Sequence, residues 1–241
     1  MPNIIITGAA NGIGAAFLKA YLQDSKNYIV AVDRQDMVTP RINVLPLTVD
    51  VSSQESIDAM VQEISKDFPI DLLIHSAGIR GLVPTMEQRK PDDVAACETM
   101  DVMDFDTMMR TFQINAAGTF MLLRALAPGL RKAKGKAIIM SSRMGSVGNN
   151  QLPNKASGSA YAYRASKAAL NTIVRSFAVD VPDVTFVLCH PGRVETKLVK
   201  CKEEGAITAE ESVESILPLI EKWNADNNGK FYDRFGAPIE W

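Results

Sequence analysis

Tyr163 and Lys167 stand four residues apart in the run Tyr163-Arg164-Ala165-Ser166-Lys167, a spacing that puts both side chains on one helix face, a turn from each other. A free phenol, with a pKa of about 10, is a poor base at neutral pH, and an ammonium beside it stabilises the phenolate and lowers that value. Such a pair could shuttle the proton of an alcohol, so Tyr163 is expected to titrate well below a free phenol. Tyr161 cannot take this role, because its i+4 residue is Ala165. Ser142, in Ser141-Ser142-Arg143-Met144-Gly145, is the candidate hydroxyl to accompany them. A tyrosine and a lysine at this spacing also occur by chance on surface helices, and the rest of the chain separates the two readings.

The second constellation is Thr7-Gly8-Ala9-Ala10-Asn11-Gly12-Ile13-Gly14, directly after the strand-like Ile4-Ile5-Ile6 and directly before a helical run. Glycines let the backbone turn sharply and approach a pyrophosphate, while the helix N-terminus points free N–H groups and a positive dipole at that anion. A second strand-like run then ends in Asp33, nineteen residues after Gly14, close to the offset of about 20 expected of a ribose-binding carboxylate. Strand, glycines, helix, strand and acid in that order predict a dinucleotide site. The Asp33 carboxylate would accept from a 2′-hydroxyl and repel a 2′-phosphate, which favours NAD. Arg34, next in line, could attract that phosphate, so NADP stays open.

These residues need a scaffold that carries both groups to one edge. Short β-branched runs alternate with helix-period segments along the chain: Ile4 to Ile6, Ile13 to Leu22, Tyr28 to Val32, then strands at Ile70 to His75, Lys136 to Ser141 and Val184 to His190. Helical stretches span Phe105 to Lys132 and Ala160 to Asp180, and Ser52 with Glu55 fit a capping box ahead of Ile57, Met60, Val61, Ile64 and Phe68 on one face. The alternation predicts an α/β fold, a Rossmann-type doubly wound parallel sheet with helices on both faces. We expect a single dinucleotide-binding oxidoreductase domain over residues 1–241, with no linker or repeat. Two longer irregular segments, Arg80 to Asp101 and Arg143 to Ser159, follow strands and would overhang the carboxyl edge, where ligands bind in such sheets.

The 241 residues include 26 basic and 28 acidic side chains, a net charge of −2, which offers no cationic field for nucleic acid or anionic lipid. Cys97, Cys189 and Cys201 lack metal-ligand spacing and read as reduced thiols; no metal is expected. The first strand begins right after Met1 without a charged leader, and no apolar run reaches the ~18 residues of a membrane span, so a cytoplasmic protein is expected. The methionines at 100, 103, 108, 109, 121, 140 and 144 read as adaptable packing.

Taken together, these motifs resemble the short-chain dehydrogenase/reductase family along essentially the whole chain, and within it the small reductases grouped with C-factor and sniffer-type carbonyl reductases. The resemblance implies about seven strands in the order 3-2-1-4-5-6-7, the last near Gly229 to Asp233. It implies that Thr7, Gly8, Asn11, Gly12, Ile13 and Gly14 form the cofactor turn, that Asp50 and Val51 meet the adenine, and that Ser76, Ala77 and Gly78 line the cofactor. Asn115 would be the proton-relay asparagine, Ser142 would polarise the substrate, Tyr163 would be the acid/base, and Lys167 would bind ribose and tune the tyrosine. Pro191-Gly192-Arg193-Val194-Glu195-Thr196 matches the segment in which Val194 and Thr196 hold the carboxamide, alongside Pro191 and Gly192.

The chain departs from the family in two places. His75-Ser76-Ala77-Gly78 stands where Asn-Asn-Ala-Gly is usual, and Ser142 lies farther from Tyr163 than usual. His75 and His190 are read as histidines that satisfy backbone groups at strand ends. The implied function is hydride transfer between a nicotinamide cofactor and a small-molecule alcohol or carbonyl, in a homodimer or homotetramer paired through the helices of Asn115 and Tyr163. The alternative is a dinucleotide-sensing binding protein without chemistry, which would be expected to lose one of Ser142, Tyr163 and Lys167. A sugar epimerase would need a further substrate domain, and a halide-releasing relative would lack Gly8, Gly12 and Gly14.

Overall fold

A computed structural model describes residues 1–39, 41–153, 157–201 and 203–241. Seven strands, β1 (Asn3–Thr7), β2 (Tyr28–Asp33), β3 (Val44–Thr48), β4 (Leu72–His75), β5 (Lys136–Met140), β6 (Thr185–His190) and β7 (Lys230–Asp233), form one sheet in the order β3-β2-β1-β4-β5-β6-β7. Every pairing between them is parallel. The strands read as unbroken apolar runs because both faces are covered. Ile5, Leu73 and Ile139 pack with Leu122, Leu126, Leu170 and Val174 on one face, while Ile4, Ile6, Ile74 and Ile138 pack with Phe17, Val213 and Ile216 on the other.

The helices are α1 (Gly12–Tyr21), α2 (Gln54–Ile64), α3 (Pro84–Arg89), α4 (Phe105–Phe112), α5 (Gly118–Ala133), α6 (Tyr161–Asp180) and α7 (Ala209–Lys222). Strand order reverses between β1 and β4, so the crevice of a doubly wound sheet opens beside Thr7 and His75, which face each other in register.

Three local expectations are corrected. The cap of α2 is Ser53, whose hydroxyl accepts from the Ser56 N–H at 3.2 Å. Because α2 starts at Gln54, Ser52 lies one residue ahead of the cap, with its hydroxyl donated to Asp50 Oδ1 at 2.6 Å, and the expected Ser52–Glu55 box does not form. The single helix expected from Phe105 to Lys132 carries a π-turn at Gln113–Ala117. Gly118 follows it where an added Cβ would lie 2.6 Å from the Val51 carbonyl oxygen, a close approach of helix to loop that only glycine allows. The segment read as irregular from Arg80 to Asp101 contains α3 and a short 3-10 turn at Ala95–Cys97.

Candidate active site

A cavity of about 490 Å³ runs along the carboxyl edge from Asp33 and Arg34, past the glycine turn, to Ser142, Tyr163 and Lys167. All the sequence-predicted site residues line it except Gly14 and Asn115. Those two act from behind the wall. A Cβ on Gly14 would overlap the Gly8 carbonyl, and Gly78 is packed so closely that its Cβ would lie 3.0 Å from Asn115 Oδ1.

At the dinucleotide end, Gly8 and Gly12 take φ values of +69° and +52°, the left-handed region that favours glycine. Asn11 adopts the extended N-cap conformation of α1, without a side-chain cap bond, so the first helical N–H groups point into the turn. The Asp33 carboxylate accepts from Ala10 N–H and Gln35 N–H, both at 3.0 Å, which fixes it at the mouth of the cavity. Asp50 accepts from the Ser52 N–H and hydroxyl, which hold its carboxyl below the usual range. On the opposite wall, Glu195 N–H and the Arg193 carbonyl bond the backbone of Ile207, while Val194 between them lines the cavity. A Cβ on Gly12 would meet the Thr196 methyl at 2.8 Å, so this segment closes over the glycine turn.

His75, the departure from the usual asparagine, completes a buried chain. Thr119 donates its hydroxyl to the Asn115 carbonyl at 2.8 Å, so at the 2.9 Å contact with His75 Nε2 it can only accept. The neutral ring then carries its proton on Nε2, and Nδ1 accepts from the Thr7 hydroxyl at 2.8 Å. The Thr7 oxygen in turn accepts from Ser76 and Ala77 N–H at 3.2 Å. His75 is structural, as expected, but it satisfies the Thr7 and Thr119 hydroxyls rather than backbone groups. The chain links the glycine-turn wall of the cavity to Asn115, whose amide brackets Ile79 N–H and C=O at 2.8 Å each.

Burial first, and the Lys167 charge second, push the His75 pKa down to about 3. A histidine kept neutral in the folded state contributes stability that is complete above its unfolded pKa of about 6.5 and is lost as pH falls toward the folded value. His75 alone should therefore remove about 2 to 3 kcal/mol between pH ~6.5 and ~4.5. His75→Asn should show a shallower loss over that window in denaturant titrations, and equal slopes for both proteins would refute the neutral network. His190 departs from its expected role. It lines the cavity wall and is also held neutral, near pKa 4, chiefly by burial, but its Nδ1 has no hydrogen-bond partner among the described residues.

At the chemical end, Tyr163 and Lys167 share the inner face of α6 and are 8% and 5% exposed. Lys167 Nζ donates to the Met140 carbonyl at 2.9 Å and stands 5.8 Å from the centre of the Tyr163 ring. Burial pushes its pKa down to about 8. The expected lowering of the Tyr163 pKa is corrected: burial outweighs every attraction and raises it, although Arg80 and a hydrogen bond with Ser142 pull it down. Lys167 Nζ lies over the ring, 5.8 Å from its centre, and at about pKa 8 it carries only part of its charge in alkaline solution.

Residues that sequence reasoning passed over also reach the site. Gln35, Arg110, Gln113 and Lys197 line the cavity, and Arg80 stacks on Tyr163. Gln35, Arg80, Gln113 and Lys197 each stand within two residues of a predicted position, Asp33, Gly78, Asn115 and Thr196, a proximity that could have found them, whereas Arg110 arrives through the packing of α4.

A family model described as short chain dehydrogenase matches residues 2–206. C-signal of Myxococcus xanthus is 38% identical over 176 residues, covering 72% of this chain and 93% of that protein. Among solved structures, the carbonyl reductase Sniffer of D. melanogaster superposes with a TM-score of 0.83 at 27% identity over 100% of both chains. A short-chain dehydrogenase/reductase of Burkholderia multivorans with bound NADP gives 0.78 at 26% identity, covering 100% of this chain and 99% of that one.

Proposed function

Because this chain belongs to the short-chain dehydrogenase family of nicotinamide-dependent oxidoreductases, we propose that it interconverts a small-molecule carbonyl and its alcohol, with Tyr163 as acid/base. One observation carries the reading: a single cavity joins the glycine turn and Asp33 to Ser142, Tyr163 and Lys167. The residues fit a dinucleotide. The left-handed glycines and the start of α1 suit a pyrophosphate, Asp33 a ribose diol, and Val194 and Thr196 a carboxamide. When bound, the nicotinamide supplies or accepts the hydride.

Lys167 presents its ammonium to the cavity and Ser142 offers its hydroxyl to the substrate oxygen. Tyr163 holds the mobile proton. With its pKa raised, the phenol is protonated at neutral pH and serves as acid toward a carbonyl, whereas oxidation of an alcohol needs alkaline solution. A panel of carbonyls and alcohols followed by cofactor absorbance tests the proposal, and a verified cofactor binder with no turnover on any member would favour the sensing alternative.

The Asp33 carboxylate supports a preference for NAD, even though the B. multivorans relative carries NADP. A 2′-phosphate beside this fixed carboxylate meets like-charge repulsion. NAD should bind at least about tenfold tighter than NADP, ~1.4 kcal/mol, and Asp33→Ala should narrow the gap. Tighter binding of NADP by the wild type would overturn this and implicate Arg34.

The enzyme is proposed to work as one cytoplasmic domain that assembles with copies of itself. Phe105, Met109, Phe112, Phe120 and Tyr161 on α4, α5 and α6 are at least two-fifths exposed, an apolar surface suited to self-association. Light scattering should give a dimer or tetramer, and a monomeric mass at micromolar concentration would refute it. No described helix is long and apolar enough to cross a membrane.

A further inference from the structure

Arg80 holds a place at the phenol that no motif assigns. Its guanidinium carbon lies 4.8 Å from the centre of the Tyr163 ring, nearer than the Lys167 ammonium. Three contacts fix it there: Nε to Glu98 Oε2 at 2.8 Å, Nη2 to Glu98 Oε1 at 2.7 Å, and Nη1 to Met144 Sδ at 3.0 Å. The two side chains of the ion pair are only 12% and 7% exposed. A buried bidentate pair of this kind sets the plane of the guanidinium as well as its position.

Glu98 also fixes the start of α6. Its backbone carbonyl accepts from Ala160 N–H at 3.0 Å and from the Ser159 hydroxyl at 3.1 Å. Ser159 and Ala160 sit at φ +51° and +50°, a left-handed conformation uncommon outside glycine, and Tyr163 follows three residues later. One acidic residue thus clamps both the cation on the ring and the entry of the helix that carries the ring.

We infer that Arg80, held by Glu98, is a positioning residue that fixes the Tyr163 ring and sets how readily its phenol gives up a proton. The inference deepens the reading of Tyr163 as acid/base and rests on it for its effect on turnover. The charged and titratable groups around the phenol are Arg80 and Glu98 from the segment after β4, Lys167 and Arg164 from α6, and Glu203 from the segment after β6, with the Ser142 hydroxyl after β5. Arg80 favours the phenolate, while Glu98 and Glu203 oppose it. The two halves of the ion pair therefore act on the proton with opposite signs.

That opposition supplies the test. With 3-fluorotyrosine incorporated throughout the chain, the Tyr163 fluorine resonance is identified by its loss in Tyr163→Phe and titrated without any turnover. Arg80→Met leaves Glu98 uncompensated, and the midpoint should move about one pH unit higher. Glu98→Gln leaves Arg80 uncompensated, and the midpoint should move lower by a similar amount. The limb of the kcat–pH profile that reports Tyr163 should follow both shifts, with KM for the cofactor little changed, and Arg80→Lys should stay closer to wild type than Arg80→Met.

Shifts of the same sign in Arg80→Met and Glu98→Gln, or no shift in either, would reduce the pair to a structural clamp and overturn the inference. If Arg80→Met does not fold, the direction of the Glu98→Gln shift decides. Full turnover in Tyr163→Phe would instead overturn the acid/base reading, which the fluorine titration does not use.

Discussion

Replacement of Tyr163 by phenylalanine should lower turnover by at least about 10²-fold, the usual worth of general acid–base catalysis, while cofactor affinity changes little. α6 presents the phenol hydroxyl to the cavity together with the Lys167 ammonium, and phenylalanine keeps the ring against Arg80 while deleting the phenol's proton. As carbon–hydrogen bonding changes at the substrate, charge would build up on its oxygen unless a proton moves with it. Burial raises the Tyr163 pKa, so carbonyl reduction should hold its rate from neutral into mildly alkaline solution and fall only as the phenol ionises. Alcohol oxidation should rise over that same alkaline range. Turnover of a verified substrate within a few-fold of wild type by Tyr163→Phe would remove the tyrosine from the reaction.

Lys167→Met should lose at least about tenfold in both turnover and cofactor affinity, since it removes a cation from the cavity wall. Its stability should move differently. The lysine pKa falls from 10.5 unfolded to about 8 folded, so at neutral pH the buried charge works against folding by about 3 kcal/mol, a cost relieved as pH rises from 8 towards 10.5. Methionine keeps the stem and drops the charge, at the expense of the bond to the Met140 carbonyl, worth about 1 kcal/mol. The variant should therefore be no less stable than wild type at pH 7 in thermal unfolding, yet functionally damaged. A variant both markedly less stable and normal in cofactor affinity would mark Lys167 as a structural residue. In the wild type, affinity that depends on this charge should weaken as pH rises through about 8.

The fold, the glycine turn, Asp33 and the Tyr163–Lys167 pair were legible in the sequence because their signals are local, whereas Asp50, Val51, Ser76 to Gly78, Asn115 and the Pro191 to Thr196 segment were implied by the family resemblance. Gly8, Gly12 and Gly14 announce a backbone turn by their lack of Cβ. Asp33 is found by counting along one βαβ unit, and Tyr163 and Lys167 by counting along one helix. Uniformly apolar strands such as Ile4 to Ile6 reveal a sheet covered on both faces, which in a doubly wound arrangement brings all these loops to one edge. The family resemblance, built on the same motifs in order, is borne out by the match over residues 2–206.

What only the tertiary structure decided concerns partners distant in the chain and the water excluded between them. Ser52 and Ser53 are equivalent as caps until the fold starts α2 at Gln54, which puts Ser53 at the cap and leaves Ser52 to bond Asp50. The tautomer of His75 depends on Thr7 and Thr119, 68 and 44 residues away. The sign of the Tyr163 shift turns on how deeply α6 is buried and on where the Arg80–Glu98 pair comes to rest. Helical spacing shows that Lys167 is near Tyr163, but a pKa is a balance between desolvation and charge, and desolvation exists only once the whole chain has packed.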